Sequence, residues 1–384
     1  MAVSKIHLGA SVGLLAFSGH LVLAQPPAIP PEMQLAALPV SVVDPADNPS
    51  TPEKVALGRW LFFDPVLSAT EKVACSTCHH PRYGWADGRG TPIGVGGRGI
   101  GPQRLPSKAA GIEPLTRNTP GLLNVGFNGL VNGKKYDPDE APMFWDARET
   151  GLEAQLFHPI RSRAEMRGDD CEESQAVAAM VDRVRQITGY RERFAKVFPA
   201  PGNEPITAAT IAASIAAFER SLTGGDSPFD RFMRGDSDAM TVQQQRGMRT
   251  FEKAGCLHCH GGPMFSDFKL HVIGVPGLGR DDRRALRTPT LRNLGLTAPY
   301  LHRGQARSLE DVLNFYEQLM DIVSETLDGG DASMDPPLDP LLKHLHLEVE
   351  DFPGVLAFLD ALNDESYDTS LPESVPSGLS VSGE

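Results

Sequence analysis

The feature that most constrains this chain is the pattern Cys-x-x-Cys-His, which occurs twice. The first copy is CSTCH at residues 75–79, and the second is CLHCH at residues 256–260. Two thiols three positions apart can add to the two vinyl groups of one porphyrin, and the next imidazole can ligate the iron. The copies therefore predict two covalently bound c-type haems, haem 1 at the first motif and haem 2 at the second. The predicted thioether anchors and proximal iron ligands are Cys75, Cys78, His79, Cys256, Cys259 and His260.

The surroundings of the two motifs are also alike. A helical segment at 52–63 precedes the first motif, and a similar segment at 241–253 precedes the second. This repeated unit predicts two similar domains. Nothing else in the chain favours a zinc site that combines both cysteine pairs, and the sequence lacks the βαβ setting of a thioredoxin-like dithiol. The fifth cysteine, Cys171, lies in the acidic stretch GDDCEES and is predicted to be an unpaired loop thiol without a function.

Hydrophobic periodicity predicts an all-α protein with long loops. The predicted helices span residues 51–63, 172–198, 207–222, 241–254 and 308–323. We therefore expect two cytochrome c-like domains, each with one covalently bound c-type haem, over residues 51–230 and 231–365. The Pro-rich residues 25–50 are expected to run extended over the surface, and residues 366–384 are expected to form a flexible tail.

The first 24 residues have the pattern of a secretory signal peptide. Lys5 supplies a positive start, residues 8–17 form a short apolar core, and Val22-Leu23-Ala24 fits the small-x-small pattern before a cleavage site. The core is shorter than an uncleaved membrane anchor requires. We therefore expect a periplasmic protein with no membrane span after signal removal. The formal net charge of −13 over 384 residues argues against a nucleic-acid partner.

Several further blocks resemble the bacterial di-haem cytochrome c peroxidase family, which includes the MauG-type enzymes. The resemblance covers roughly residues 57 to 362. The blocks that carry it, besides the two haem motifs, are LGRWLFFDPVLS (57–68), TRNTPGLLN (116–124), FWDAR (144–148), LEAQ (152–155), EM (165–166) and RTPTLRNLGLTAPYLHRG (287–304). The resemblance implies that haem 1 reacts with hydrogen peroxide and that haem 2 handles the electrons.

The resemblance also assigns residues around haem 1. Trp145 matches the inter-haem tryptophan, and Gln155 and Glu165, ten and twenty positions further on, match the distal glutamine and glutamate. A carboxylate such as Glu165 can move a proton between the two peroxide oxygens, and Gln155 can hydrogen-bond the bound oxygen species. Trp145 would relay electrons between the haems.

Two further groups of residues follow from the resemblance. A calcium ion between the domains is implied, with the Asn118 side chain and the carbonyl oxygens of Thr297 and Pro299 as ligands, a donor set that suits a hard cation. Buried haem propionates need cationic partners. The arginines expected to supply them are Arg117, Arg287 and Arg292.

The sequence departs from the family pattern at both haems. Typical members carry a histidine in the loop after the first motif, but residues 81–115 contain none and include the Gly-rich stretch GVGGRGIG at 94–101, expected to be flexible. We therefore expect haem 1 to be five-coordinate or water-bound. At haem 2, Tyr316 occupies the position where peroxidases usually place a methionine as sixth ligand, and MauG-type enzymes are similar in having a tyrosine there. Met320, one helical turn further on, is the alternative ligand.

These features leave the electron source open. One branch is peroxide detoxification fed by a small redox protein, a cytochrome c or a cupredoxin. The other is MauG-like oxidation of a protein substrate, which the missing loop histidine and Tyr316 favour, although Ala254 replaces the surface tryptophan of MauG. A di-haem electron-transfer protein without peroxidase activity is the alternative from another class, and the intact spacing of Gln155 and Glu165 argues against it. A peroxide sensor is a third, weaker class.

Overall fold

A computed structural model describes Met1 and residues 28–107, 111–199, 204–275, 285–323 and 337–383. The predicted signal peptide, apart from Met1, lies outside these residues. Within the described part, no helix is both long enough and apolar enough to cross a membrane.

The described chain is built mainly from helices joined by long loops, as the periodicity predicts. The α-helices are α1 (Pro52–Phe63), α2 (Cys75–Cys78), α3 (Leu152–Gln155), α4 (Phe157–Arg161), α5 (Ala176–Gln186), α6 (Thr188–Val197), α7 (Ala208–Ser221), α8 (Pro228–Met233), α9 (Val242–Lys253), α10 (Leu309–Val323) and α11 (Phe352–Asp360). Strands occur only as short antiparallel pairs in this part of the chain. They are β1 (Gly97–Arg98) with β2 (Leu105–Pro106), β3 (Pro142–Met143) with β4 (Glu149–Thr150), and β5 (Leu270–His271) with β6 (Leu286–Arg287).

The N-terminal core forms around the crossing of α1 and α7. Thr51 caps α1 by accepting a hydrogen bond from the Lys54 amide, and Pro52 occupies the first turn. At the crossing, Gly58 lies so close to the backbone of Ser214 that a Cβ there would overlap the Ser214 carbonyl oxygen. Glycine therefore sets the distance between the two helices.

The C-terminal core repeats this arrangement with α9 and α11. Thr241 caps α9 through the Gln244 amide, and a Cβ on Gly247 would overlap the carbonyl oxygen of Gly354. Phe229 and Asp230 of α8 belong with this second core, because Phe229 packs on Phe265 and Asp230 pairs with Arg292. The boundary between the cores thus falls before Pro228, slightly earlier than the predicted residue 230.

The predicted helix over 172–198 is interrupted in the structure. Residue Ile187 is extended, with φ −88° and ψ 113°, and separates α5 from α6. The break lets Val184 and Tyr190 both enter the N-terminal core. A single straight helix would carry these positions, six residues apart, onto different faces.

The prediction of a flexible tail from residue 366 is contradicted by the structure. These residues return to the N-terminal domain, where Val375 is buried and Ser377 donates a hydrogen bond to Asp64. Ser382 is fully buried and contacts Ser76 and Thr77, the two residues between Cys75 and Cys78. The composition of residues 366–384 predicted flexibility, but a few apolar and hydroxyl side chains are enough to hold such a segment against the surface of a folded domain.

The Pro-rich segment before α1 runs along the surface, as expected, and contacts both domains. Its Met33 and Leu38 are buried, and the Leu38 amide donates to Asp230 Oδ1 at 2.8 Å. Further along, Asp44 lies 3.3 Å from Arg220 of α7. The segment therefore ties the two domains together on one side.

Candidate functional site

One continuous cavity of about 640 Å³ runs between the two cores and is lined by residues from both. It brings together every site residue predicted from the sequence. Those lining residues are Cys75, Cys78, His79, Asn118, Trp145, Gln155, Glu165, Cys256, Cys259, His260, Thr297, Pro299 and Tyr316.

The His79 imidazole is oriented by its backbone surroundings. Its Nδ1 lies 3.0 Å from the carbonyl oxygen of Trp85, and because a carbonyl oxygen only accepts, Nδ1 carries the proton. The other nitrogen, Nε2, keeps its lone pair for a metal. Burial lowers the pKa of His79 to about 4, which keeps the ring neutral as an iron ligand requires.

His260 repeats this geometry in the second domain. Its Nδ1 lies 3.0 Å from the carbonyl oxygen of Phe265, and burial lowers its pKa below the usual value. The four motif cysteines carry free thiols beside these imidazoles, and burial raises the pKa of Cys78, Cys256 and Cys259 to about 12. The residues present thus fit two c-type haems, with thiols for attachment and oriented imidazoles for iron.

Unpaired polar groups on the cavity wall also fit the carboxylates of a haem. Thr119 Oγ1 and Asn293 Nδ2 are buried and have no hydrogen-bond partner among the described residues. Burial lowers the pKa of the Arg287 guanidinium to about 10, and its Nε donates only to the Phe144 carbonyl, 2.9 Å away. Arg292 differs from expectation, because it is already paired bidentately with Asp230 at 2.8 and 3.0 Å. A propionate partner is therefore expected at Arg287 rather than at Arg292.

Glu165 and Gln155 reach the cavity from two adjoining helical segments. Gln155 ends α3, and Glu165 lies on a single π-helical turn, Arg163–Arg167. Burial raises the pKa of Glu165 above its usual value, and the charges of Arg148 and His158 oppose this only partly. His158 itself is held by Glu149 at 2.8 Å, which gives it a structural partner. Glu165 is thus a carboxyl whose proton affinity is raised at the cavity wall.

The Gly-rich loop at 94–101 is pinned in place, contrary to the expectation that it is flexible. The buried Arg104 guanidinium donates to the carbonyl oxygens of Ile93 at 2.5 Å and Gly99 at 2.6 Å. Gly94 lies against the backbone of Glu165, with no room for a Cβ, and the Val95 amide donates to the Glu165 carbonyl at 3.0 Å. The glycines therefore serve close packing against the turn that carries Glu165.

The segment after the first motif offers the cavity no iron-binding side chain in its described part. The residues of 81–107 and 111–115 that line the cavity are Gly84, Pro92 and Leu115. None of these side chains has a donor atom for iron.

Trp145 lies where the two domains meet. Its indole Nε1 donates to the carbonyl oxygen of Asn118 at 2.9 Å, and its own carbonyl accepts from the Arg287 amide at 2.7 Å. Asn118 comes from the first domain and Arg287 from the second. The indole is therefore fixed between the two haem-binding halves of the cavity.

Tyr316 and Met320 lie on the same helix, α10, in different surroundings. Tyr316 is among the cavity-lining residues, and burial raises the pKa of its phenol well above the usual value. Met320 does not line the cavity, and its sulfur lies 3.3 Å from the Leu347 amide nitrogen. Of the two, only Tyr316 lines the cavity that also contains His260.

Asn118 also gathers carbonyl oxygens around its side chain. Its Nδ2 lies 2.7 Å from the Arg89 carbonyl oxygen, 3.3 Å from that of Gly90 and 3.4 Å from that of Pro299. A cation among these oxygens would need the amide turned, so that Oδ1 faces the ion. Asn118 and Pro299 are thus together as expected, in a carbonyl-rich setting.

The sequence of the chain is similar to those of several known proteins. The family model for di-haem cytochrome c peroxidases matches residues 52–238. The methylamine utilization protein MauG of Methylorubrum extorquens is 35% identical over 361 residues, which cover 89% of each chain. The chain belongs to the di-haem cytochrome c peroxidase family. It is accordingly a di-haem peroxidase-type oxidoreductase, and the family implies two c-type haems.

Other comparisons agree with this membership. The cytochrome c551 peroxidase of Pseudomonas aeruginosa is 29% identical over 381 residues and covers 94% of each chain. The crystal structure of a MauG-like protein associated with microbial copper homeostasis superposes with a TM-score of 0.63 and 30% identity, covering 89% of this chain and 97% of that one. The diheme peroxidase BthA from Burkholderia thailandensis shares the fold, with a TM-score of 0.60 at 22% identity over 90% of this chain and 98% of that one.

The structure of this di-haem peroxidase adds polar residues that sequence reasoning missed. His271 lines the cavity and is held between Asp267 at 2.9 Å and Asp339 at 2.6 Å, which raise its pKa. Glu219 lines the cavity on the haem 1 side. The i, i+4 spacing of Asp267 and His271 was a usable signal, but Asp339 is 68 residues from His271. No local pattern distinguishes Glu219 from a surface glutamate.

Proposed function

We propose that this chain is a periplasmic peroxidase that reduces hydrogen peroxide at haem 1 with electrons that pass through haem 2. The observation that carries this proposal is that Glu165 and Gln155 line the same cavity as the oriented imidazole of His79. An electron carrier needs no acid–base group there. The signal-peptide pattern of residues 1–24 supports the periplasmic location.

Bound haem supplies the iron centre at which the O–O bond of peroxide is reduced by two electrons. The Glu165 carboxylate accepts a proton from peroxide and returns it to the departing oxygen, which leaves as water. Two electrons and two further protons complete the conversion of one peroxide to two waters. Gln155 orients the bound oxygen through its side-chain amide. The raised pKa of Glu165 strengthens it as a proton acceptor when it is ionised.

The resting state follows from the described wall of haem 1. In the described part of residues 81–115, the cavity-lining residues are Gly84, Pro92 and Leu115, which supports a haem 1 position opposite His79 that water or peroxide can occupy. We therefore expect the oxidised protein to react with peroxide without prior reduction.

The sixth ligand of haem 2 bears on the electron source. If Tyr316 held the haem 2 iron and lost its phenol proton on binding, its anionic oxygen would give haem 2 a lower reduction potential than a methionine thioether would. Such a haem is a poor acceptor from a high-potential cytochrome or cupredoxin, which favours a side chain of a protein substrate as the electron source. Because Ala254 stands in place of the surface tryptophan of MauG, electrons from such a substrate would enter by a different residue.

A calcium ion beside Asn118, Thr297 and Pro299 would complete the junction. Its donors are amide and carbonyl oxygens, which Ca²⁺ accepts together with water. Because Trp145 donates to the Asn118 carbonyl, the ion would also hold the indole in place.

The experiment that tests the function uses the purified, fully oxidised holoprotein. One equivalent of hydrogen peroxide is added, and the visible, near-infrared and EPR spectra are followed. Prompt spectral change without prior reduction supports the open haem 1 and directs the search to a protein substrate. Reaction only after one-electron reduction contradicts an open position at haem 1 and indicates a conventional peroxidase that needs reductive activation. No reaction in either state overturns the proposal in favour of an electron carrier.

A further inference from the structure

The cavity wall beside haem 1 carries a second carboxyl, which the proposed reaction does not use. Glu219 lies near the end of α7, is 7% exposed and faces the cavity among the core residues of the first domain. Its charge acts on Cys75, whereas that of Glu165 acts on Cys78. The two acids therefore lie near different cysteines of the first haem motif.

No described cation is paired with Glu219. The neighbouring Arg220 points away, because consecutive helical residues are about 100° apart. Its guanidinium is engaged by Glu153, with contacts of 2.5 and 3.3 Å, and by Asp44 at 3.3 Å. The Lys54 amine of α1, the other cation of this cluster, donates instead to Asn48 Oδ1 at 2.8 Å and to the Pro49 carbonyl at 2.7 Å.

A buried carboxyl without a paired cation favours its neutral form. Burial raises the pKa of Glu219 to about 8, and the charge of Glu153 from α3 acts in the same direction, while Arg220 opposes both. No described group donates a hydrogen bond to the carboxyl, so nothing else stabilises its anion. Glu219 therefore carries a proton at neutral pH, beside the attachment edge of a redox centre.

We propose that Glu219 is a proton-coupled residue of haem 1, which releases its proton when haem 1 is oxidised and takes one up when haem 1 is reduced. The inference rests on the proposed function for its oxidant, hydrogen peroxide, and for its reductant, the electron donor. When one electron leaves haem 1, the O–H bond of the Glu219 carboxyl breaks and its single proton passes to solvent. The reverse step adds one electron to haem 1 and one proton to the carboxylate.

The physical reason is charge compensation in a poorly solvated interior. Oxidation adds one positive charge to haem 1, and a nearby carboxylate then becomes favourable. Across a protein interior such an interaction shifts a carboxyl pKa by about one unit. Glu153, whose charge acts on Glu219, has a side chain that is 28% exposed to solvent.

The test measures the haem 1 midpoint potential of the holoprotein against pH by spectroelectrochemistry, without peroxide. In the wild type we expect the potential to fall by about 59 mV in total as pH rises through the region around 8, because a one-unit difference between the Glu219 pKa values of the two redox states is one tenfold change in an equilibrium constant. Glu219→Gln keeps the neutral shape and removes the titration, so its potential should be flat over this range. Glu219→Asp should restore the slope.

An infrared measurement that compares Glu165→Gln with Glu165→Gln/Glu219→Asp keeps the inference testable if Glu219→Gln loads haem poorly, because both variants keep a carboxyl at position 219. The redox difference spectrum of a Glu165→Gln background should contain the C=O band of a carboxylic acid lost on oxidation of haem 1. Its loss in Glu165→Gln/Glu219→Gln, with return in Glu165→Gln/Glu219→Asp, supports the assignment. A wild-type potential independent of pH, an unchanged slope in Glu219→Gln, or no such band overturns it. Because peroxide is absent, these results do not depend on peroxidase activity.

Discussion

Gly58 of α1 lies directly against the carbonyl oxygen of Ser214 on α7, and the contact leaves no space for a β-carbon. The equivalent crossing in the second domain joins Gly247 of α9 to Gly354 of α11. These two contacts set the distance between the paired helices beside each haem motif. Larger residues there must push the helices apart.

We therefore expect Gly58→Ala and Gly247→Ala each to destabilise the holoprotein by about 1–3 kcal/mol, although alanine favours helix. Denaturant unfolding followed by far-UV circular dichroism measures the loss. Gly225→Ala is the matched control, because a Cβ there would meet Leu38 Cβ at an ordinary 3.7 Å. A stable Gly58→Ala protein would show that the crossing can relax.

The sequence predicted the haem motifs, the helices that precede them and three residues of the cavity wall, Trp145, Gln155 and Glu165. The motifs and helices follow from local spacing and periodicity, whereas the three wall residues follow from the resemblance to the di-haem peroxidase family. Three features did not follow. Arg104 binds carbonyl groups up to eleven residues away, His271 pairs with a residue in a distant segment, and the last residues return to the first domain. Each is a tertiary contact between groups with no periodic signature.

Glu165 should control how the rate of the peroxide reaction depends on pH. Because burial raises the folded-state pKa of Glu165, its carboxylate form is lost on acidification at a higher pH than for an ordinary glutamate. The rate constant for the peroxide reaction should therefore fall as pH decreases, with a midpoint above 4.5. Stopped-flow absorbance across pH 4–9 measures it.

Glu165→Gln should lower this rate by about 10²–10⁴-fold and remove the acidic limb. Glu149→Gln is the control, because this carboxyl is bonded to His158 and does not line the cavity. An acidic limb that persists in Glu165→Gln would assign it to another group.

Tyr316 provides a spectroscopic prediction. Tyr316→Phe removes the only oxygen on that side chain while keeping the ring that packs against Phe315 at 5.2 Å. We expect the EPR and near-infrared signals of haem 2 to change and those of haem 1 to remain. Met320→Leu is the matched variant on the same helix and should leave both haems unaltered. If Met320→Leu changes the haem 2 signals and Tyr316→Phe does not, Met320 is the ligand.

The C-terminal segment should stabilise the haem 1 attachment loop. Thr77 Oγ1 donates to the Ser382 carbonyl at 2.6 Å, and both residues are buried. Thr77→Val should cost about 1–3 kcal/mol, because it leaves that carbonyl unsatisfied. Ser370→Ala, in an exposed part of the same segment, should change stability by less than about 0.5 kcal/mol. Thermal unfolding of the holoproteins measures both, and equal effects would contradict anchoring at the loop.

The titration of Glu219 should make the free energy of unfolding depend on pH. Its folded-state pKa of about 8 exceeds the ordinary value of 4.5 for a solvated glutamate. Between these values the folded protein binds more protons than the unfolded chain, so the free energy of unfolding falls as pH rises from 4.5 through 8. Glu219→Gln has no carboxyl to titrate at this position, so the part of the fall in unfolding free energy that comes from Glu219 should be absent in the variant.

Denaturant unfolding of the wild-type and Glu219→Gln holoproteins at pH 5 and pH 9 tests the direction of this pH dependence. We expect the variant to match the wild type at pH 5 and to exceed it by a few kcal/mol at pH 9, because each unit of pKa difference is worth about 1.4 kcal/mol. Glu204→Gln controls for the loss of one half-exposed carboxylate. A variant that is less stable than the wild type at pH 9 would mean that the Glu219 anion is stabilised in the folded protein, which contradicts a carboxyl that carries its proton at the cavity wall.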